Sequence, residues 1–235
     1  MFDCRIAKSG FSLKGCFDFI AKRNRDIADN PDRFNQFGII LFCGLQGSGK
    51  SLSAFRLIES LCNEKPDLAI VSNVGLSFHE VISYNGIETV FDVTENQGDK
   101  GTILFLDEIA NQFPSTLSKE ISDDWFTITN MMRKRRLLII GTTPVFSRLT
   151  KAFREQFEYV CVCEQKFNGL VQNNYWYRCN VDTTILGDSD QENTHNMQVA
   201  KHQWFLITVD DVNRYDTNEV VKVVKSRDRR GRNYD

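Results

Sequence analysis

The sequence predicts an α/β fold: a mostly parallel central sheet flanked by helices, with a β-rich C-terminal extension. Three observations predict it. Short, continuous apolar runs recur through the first two thirds of the chain, the mark of strands buried on both faces. Segments with apolar residues at helical spacing separate them, and such alternation calls for parallel neighbours joined by right-handed crossovers. From about residue 165 the alternation gives way to aromatic-rich strands among polar loops.

Taken in order, residues 1–36 are mixed and polar and end in Asn30-Pro31-Asp32-Arg33-Phe34-Asn35-Gln36, a lead-in segment. Phe37-Gly38-Ile39-Ile40-Leu41-Phe42-Cys43 is the first strand. After a Gly-rich turn, Leu52, Phe55, Leu57, Ile58 and Leu61 lie at helical spacing, and Pro66 ends that unit. Leu68-Ala69-Ile70-Val71 is a second strand, and Thr102-Ile103-Leu104-Phe105-Leu106 a third that closes on Asp107-Glu108. Ser122 before Asp123 and Asp124 marks a helix start, with a cap and two carboxylates at the positive end of the dipole. That helix runs to Arg133-Lys134-Arg135-Arg136, where cations suit its C-terminus. A fourth strand at Leu137-Leu138-Ile139-Ile140-Gly141, a short helix over 145–153 and a fifth strand over 157–163 complete the core, residues 37–164. Residues 165–221 read as an extension of the same domain packed on the sheet. It has strands at Tyr175-Trp176-Tyr177 and Trp204-Phe205-Leu206-Ile207 and a polar loop over 180–196. Residues 222–235 read as a flexible basic tail, with Lys222, Lys225, Arg227, Arg229, Arg230 and Arg232 against Asp228.

Composition narrows the function classes. The chain has 235 residues, 41% of them hydrophobic, which suits one domain with a sizeable core. With 29 Lys+Arg against 31 Asp+Glu the net charge is −2, so any nucleic-acid surface has to be local. Seven cysteines form no CxxC pair, and Cys161 and Cys163 alternate within an apolar run. With three histidines (His79, His195, His202) the zinc-ligand pattern is missing, and the thiols read as buried and reduced. The start Met1-Phe2-Asp3-Cys4-Arg5 lacks the apolar stretch of a secretory signal, and no apolar run reaches membrane-spanning length. These features point to the cytoplasm, at most peripheral to a membrane.

Gly44-Leu45-Gln46-Gly47-Ser48-Gly49-Lys50-Ser51 matches the phosphate-loop pattern G-x-x-x-x-G-K-[ST] at every defined position. The glycines let the backbone curl so that successive N–H groups converge on a phosphate, and the helix N-terminus adds its partial positive charge. Lys50 reaches the β- and γ-phosphates, and the Ser51 hydroxyl ligates Mg²⁺. The nucleotide-binding set is therefore Gly44, Gln46, Gly47, Ser48, Gly49, Lys50, Ser51 and Leu52. An apolar strand before the loop and an amphipathic helix after it supply the expected context for a P-loop NTPase.

The second half of such a site is a carboxylate at the end of a neighbouring apolar strand, and Leu106-Asp107-Glu108 supplies it. Asp107 is expected in the Mg²⁺ shell, and Glu108 to accept a proton from the attacking water. The chain lacks the Asn-Lys-x-Asp motif of a GTPase, and a small-molecule kinase usually lacks the second acid. The pair favours hydrolysis coupled to motion. Thr142 and Thr143 follow the fourth strand, beside the strand carrying Asp107. One of them, Thr143 foremost, either senses the γ-phosphate or belongs to a simple turn with Pro144. Arg133, Arg135 and Arg136 read either as a solvated helix end or as the source of an arginine reaching a neighbouring subunit's γ-phosphate. Arg133 and Arg136 lead that second reading, with Arg148 a lesser candidate.

On these motifs the chain resembles the zonula occludens toxin (Zot) family, the assembly ATPases of filamentous phages, within the wider FtsK/HerA class of DNA pumps. The resemblance spans roughly residues 37–221. It rests on the phosphate loop, Val71-Ser72-Asn73-Val74, Leu106-Asp107-Glu108, the run Arg133 to Arg136 leading into Ile139-Ile140-Gly141-Thr142-Thr143, and Tyr215-Asp216-Thr217. It implies nucleotide-binding roles for Lys50, Ser51, Asp107 and Glu108, with ATP and Mg²⁺ as cofactors. It also implies a homo-oligomer, expected to be a hexamer, and viral DNA as cargo. Two features depart from the family: Pro144 stands where similar proteins often have Gln, and the transmembrane segment and outer domain that commonly follow are not in this sequence, so the expectation is either a cytosolic part of a longer protein or a soluble packaging motor. The expectation is a Mg-ATP-hydrolysing motor that packages or exports viral DNA in the host cytoplasm, with a membrane or coat protein as partner. The rivals are an NTP-controlled interaction switch and a nucleotide or small-molecule kinase.

Overall fold

A computed structural model of the chain describes residues 21–22, 24–113, 123–154, 156–157, 159–167, 169–177, 201–209 and 211. The described elements are β1 (Gly38–Cys43), α1 (Lys50–Glu64), β2 (Ala69–Ser72), β3 (Val81–Ser83), α2 (Ile87–Gln97), β4 (Thr102–Leu106), α3 (Asp123–Arg135), β5 (Leu137–Thr143), α4 (Lys151–Arg154), β6 (Tyr159–Phe167), β7 (Leu170–Tyr177) and β8 (Lys201–Leu206). Short 3₁₀ turns at Gly98–Lys100, Ile109–Asn111 and Phe146–Arg148 link some of them.

One sheet of eight strands organises the chain, in the order β3-β2-β4-β5-β1-β6-β7-β8. The first six strands run parallel; β7 pairs antiparallel with β6, and β8 antiparallel with β7, so that only β7 runs against the rest. Every residue of β4 and β5 is buried, which explains why they read as unbroken apolar runs. Alternation along the strands divides the core between two faces. Ile39, Leu41, Leu104, Leu106 and Ile139 pack with Val90, Trp125 and Ile128 of α2 and α3. Phe42, Ile103, Phe105, Leu138 and Ile140 pack on the other face with Ala54, Phe55, Ile58 and Leu61 of α1. Stacked Phe113 and Phe153, with centroids 4.0 Å apart, and the Trp125 edge at 4.6 Å from Phe113 seal the α3 side below the 3₁₀ turn.

The extension differs from its expected placement. β7 and β8 do not pack on the sheet; they continue it beyond β6 as an antiparallel hairpin and a final strand. A hydrogen-bonded edge is a better template for a polar-faced strand than the already covered apolar faces. The lead-in also reaches the core. Phe34 is 2% exposed, and its N–H donates to the Asp99 carbonyl at 2.9 Å. It fills the space beside Gly101, where a Cβ would stand 2.4 Å from the Phe34 ring. The short helix expected over 145–153 is divided between the turn Phe146–Arg148 and the four-residue α4. The Ser122 cap, the 180–196 loop, Tyr215-Asp216-Thr217 and the basic tail lie outside the described residues. Among the described residues, no helix is long and apolar enough to cross a membrane.

Candidate active site

The phosphate loop joins the carboxyl end of β1 to α1. Because β5 lies between β1 and β4, the carboxyl ends of these three strands meet at one edge of the sheet, the edge at which open parallel sheets bind ligands. Gly49 immediately precedes α1 with φ 86°, a left-handed conformation that glycine takes without a Cβ penalty. It turns the chain from the loop directly into α1, whose first amides have no partner within the helix. Lys50 is buried, and its Nζ donates to the Leu45 carbonyl at 3.0 Å, which folds the ammonium back over the loop. Ser48 is also buried, and its hydroxyl has no partner among the described residues, a donor suited to a phosphate oxygen. Leu45, Gln46 and Gly47 form the exposed rim, and Leu52 is half-buried on the first turn of α1.

The acid pair sits at the end of β4. One carboxylate oxygen of Asp107, Oδ1, accepts the Ser51 hydroxyl at 2.9 Å and the Thr142 hydroxyl at 2.7 Å. Thr142 Oγ1 in turn accepts the Glu108 N–H at 2.9 Å. Three elements, α1, β4 and β5, thus converge on one hydrogen-bonded group. Ser51 and Asp107 are hard oxygen donors within hydrogen-bond distance, a set that suits Mg²⁺, which takes one or two carboxylates plus substrate phosphates.

Glu108 takes the left-handed backbone (φ 52°, ψ 51°), a costly conformation for a residue with a Cβ. Burial, and then the neighbouring Asp107 charge, push its carboxyl above the ordinary value, while Lys50 and Arg148 oppose them. A carboxylate raised in this way is a better proton acceptor near neutral pH than a free one.

The two threonines part company. Thr142 belongs to the acid cluster, whereas the Thr143 hydroxyl donates to the Val145 carbonyl at 3.1 Å and holds its own turn. Adjacent strand residues point to opposite faces, and the parallel register Leu106↔Gly141 brings Thr142 level with Asp107.

The expected arginines lie elsewhere in this subunit. Residues 133–136 precede β5, at the opposite end of the strands from the phosphate loop. Arg136 pairs with Asp99 at 3.5 Å. Arg135 bonds Thr94 at 2.9 Å and Glu95 at 3.0 Å, with its guanidinium over the Phe91 ring. Arg133 is exposed. Arg148, in the turn after β5, stands on the same edge as Glu108, close enough to draw its carboxyl down.

One group of residues that sequence reasoning passed over supports the loop. From the β6–β7 hairpin, the Gln165 amide, oriented to donate, meets the Gly47 carbonyl at 2.8 Å. Val171 stands where a Cβ on Gly49 would come within 2.8 Å, and Asn173 accepts the Ser53 hydroxyl at 3.0 Å. The sequence signal for this hairpin was Asn168-Gly169, a turn dipeptide between two strand-like runs. Asn73, which the sequence reading held only as part of Val71-Ser72-Asn73-Val74 and gave no role, bonds the Asp107 backbone twice through its amide.

Fold and motif agree with the comparisons. No curated protein matches the chain. Among solved structures, the N-terminal domain of zonular occludens toxin from Neisseria meningitidis is similar at 15% identity and a TM-score of 0.50, covering 77% of this chain and 99% of that one. The genome packaging NTPase B204 from Sulfolobus turreted icosahedral virus 2, in complex with ATP-gammaS, is 14% identical with a TM-score of 0.43, over 59% of this chain and 78% of its own. A further ATPase domain is 9% identical with a TM-score of 0.45, over 71% of this chain and 90% of its own. The fold is that of the P-loop NTPases, and because the family model described as Zonular occludens toxin (Zot) matches residues 38–209, the chain belongs to the Zot family.

Proposed function

We propose that this P-loop NTPase hydrolyses Mg-ATP and acts in virion assembly as an FtsK/HerA-type oligomer, a hexamer in our reading, that moves viral DNA. The observation that carries the proposal is the hydrogen-bonded group Ser51–Asp107–Thr142–Glu108 beside the phosphate loop. It joins a metal-ligand pair to a proton acceptor at the mouth of an anion cradle. Family membership supports the assembly role.

In this mechanism the loop amides from Gly44 to Leu52 hold the phosphates and Lys50 neutralises their charge. Ser51 and Asp107 would hold Mg²⁺, which would supply charge neutralisation at the nucleotide's phosphates. Glu108 takes the proton of a water as its oxygen attacks the γ-phosphorus; the bond to the bridging oxygen breaks and ADP leaves. Thr142 orients both acids. An arginine from a neighbouring subunit completes the charge balance. Arg133, exposed at the helix end, is available for this, whereas Arg135 and Arg136 are held by their own chain. The basic tail and the other cations of the run Arg133 to Arg136 supply sequence-independent phosphate contacts to DNA. The site of action is the host cytoplasm, with a coat or inner-membrane protein as partner.

The test is phosphate release from Mg-ATP with and without single- and double-stranded DNA, comparing the intact chain with Glu108→Gln. Turnover stimulated by DNA and lost in the variant supports the motor. Turnover that needs Glu108 but ignores DNA replaces it with a nucleotide-controlled interaction switch.

A further inference from the structure

Asn73 has no role in the proton transfer or metal binding set out above, yet its side chain bonds both backbone groups of Asp107. The parallel β2–β4 ladder ends at Ser72↔Phe105. Just past that point a side chain takes over the pairing: Asn73 Nδ2 donates to the Asp107 carbonyl at 2.9 Å, and the Asp107 N–H donates to Asn73 Oδ1 at 2.9 Å. Asn73 is buried, so water does not compete for these bonds.

This pairing has a conformational consequence. The N–H and C=O of one residue point to the same side only when that residue is extended, as in a hydrogen-bonded pair of an antiparallel ladder. A primary amide that bonds both groups therefore holds Asp107 extended. The next residue, Glu108, is left-handed at φ 52°. β4 ends at Leu106 and the left-handed residue is Glu108, so Asp107 is the link between strand and turn. The Asp107 carboxylate is left facing Ser51 and Thr142, and the Glu108 N–H facing Thr142.

We propose that Asn73 is a positioning residue for the acid pair, acting through the Asp107 backbone to fix where the strand ends and so where the metal-binding carboxylate points. It touches neither nucleotide nor metal. The inference rests on the ATP-hydrolase reading of this site and adds to it a residue from the end of β2, a strand two positions from β5 in the sheet.

The experiment measures binding of a fluorescent ATP analogue in Mg²⁺ and in EDTA, with melting temperature and steady-state turnover, for the intact chain, Asn73→Leu and Val74→Ala. Asn73→Leu removes both bonds while keeping the same branched shape, at a somewhat larger volume. Val74→Ala opens the same buried turn without touching the amide. The expected result for Asn73→Leu is EDTA affinity within twofold of the intact chain, at least a tenfold loss of the affinity gained with Mg²⁺, and kcat at least tenfold lower with KM little changed. Val74→Ala is expected to lower the melting temperature while keeping the Mg²⁺ gain. If Asn73→Leu does not fold, Asn73→Asp, which keeps only the acceptor for the Asp107 N–H, is expected to lose part of the Mg²⁺ gain. A Mg²⁺ gain equal to the intact chain's, or a loss that parallels Val74→Ala, overturns the proposal. An intact chain that gains affinity with Mg²⁺ yet releases no phosphate overturns the hydrolase reading alone, and Asn73 is then judged on the Mg²⁺ gain. An intact chain with no Mg²⁺ gain overturns both.

Discussion

Replacing Thr142 by valine keeps the shape of a fully buried side chain and removes one oxygen. That oxygen does two things: it donates to a carboxylate at 2.7 Å and accepts a backbone N–H at 2.9 Å. A hydrogen bond to a charged group contributes about 1.5–3 kcal/mol, and an orphaned donor away from water costs about 1–3 kcal/mol. Asp107 keeps its bond from Ser51, and Glu108 is half-buried, so both losses fall toward the lower ends of their ranges. The expected destabilisation is about 2–4 kcal/mol. Thr143→Val loses one neutral bond to the Val145 carbonyl and is expected to cost about 1 kcal/mol. Urea unfolding of both variants, beside Thr142→Ser as the hydroxyl-retaining control, gives these values directly. Turnover should follow the same order, with kcat falling roughly 10- to 100-fold in Thr142→Val, about 1.4–2.7 kcal/mol of barrier, and little in Thr143→Val. Equal effects of the two valines on stability and on kcat would refute the assignment of Thr142 to the acid cluster.

Lys50→Ala removes the buried ammonium of the phosphate loop and is expected to weaken nucleotide binding by roughly 10- to 100-fold and stop turnover, measured by titration and phosphate release. Gly49→Ala forces a Cβ at φ +86° and to within 2.8 Å of Val171. The expected cost is about 2–4 kcal/mol, and adding Val171→Ala should relieve the packing share but not the backbone share, as read by urea unfolding. Burial tends to raise the Asp211 carboxyl, but its bonds from Arg56 and Thr208 and the Arg56 charge outweigh that and hold it at about 2. Its folded value is below the unfolded one of about 4, so the pair's stabilisation of about 1–2 kcal/mol is present above pH 4 and lost as pH falls toward 2. Unfolding free energies of the intact chain and Asp211→Asn should therefore converge across that window, and a constant gap would refute the pairing.

Much of the fold was legible because local chemistry reports burial. β1, β4 and β5 are unbroken apolar runs since both faces are covered, and the phosphate loop declared itself through glycines whose backbone role needs no distant partner. α2 was not legible: Ile87, Val90 and Thr94 do follow helical spacing, but β-branched residues blur helix with strand, and the three-residue β3 is too short to show a period. The hairpin β6–β7 was partly visible in its aromatic residues and missed at the dipeptide Asn168-Gly169, and its contacts with Gly47, Gly49 and Ser53 are what tie it to the loop. Lys50, Ser51, Asp107 and Glu108 could be named from motif and strand end. Which threonine serves them could not, because Thr142 and Thr143 are adjacent and face opposite ways, and the choice depends on the register of β5 against β4. The role of Asn73, quoted only within a resemblance motif, stays hidden for the same reason, since its partner lies 34 residues on, across a strand boundary. A sequence determines what each residue can bond with; strand order and register, set by packing both faces of the sheet at once, decide which groups are brought within 3 Å.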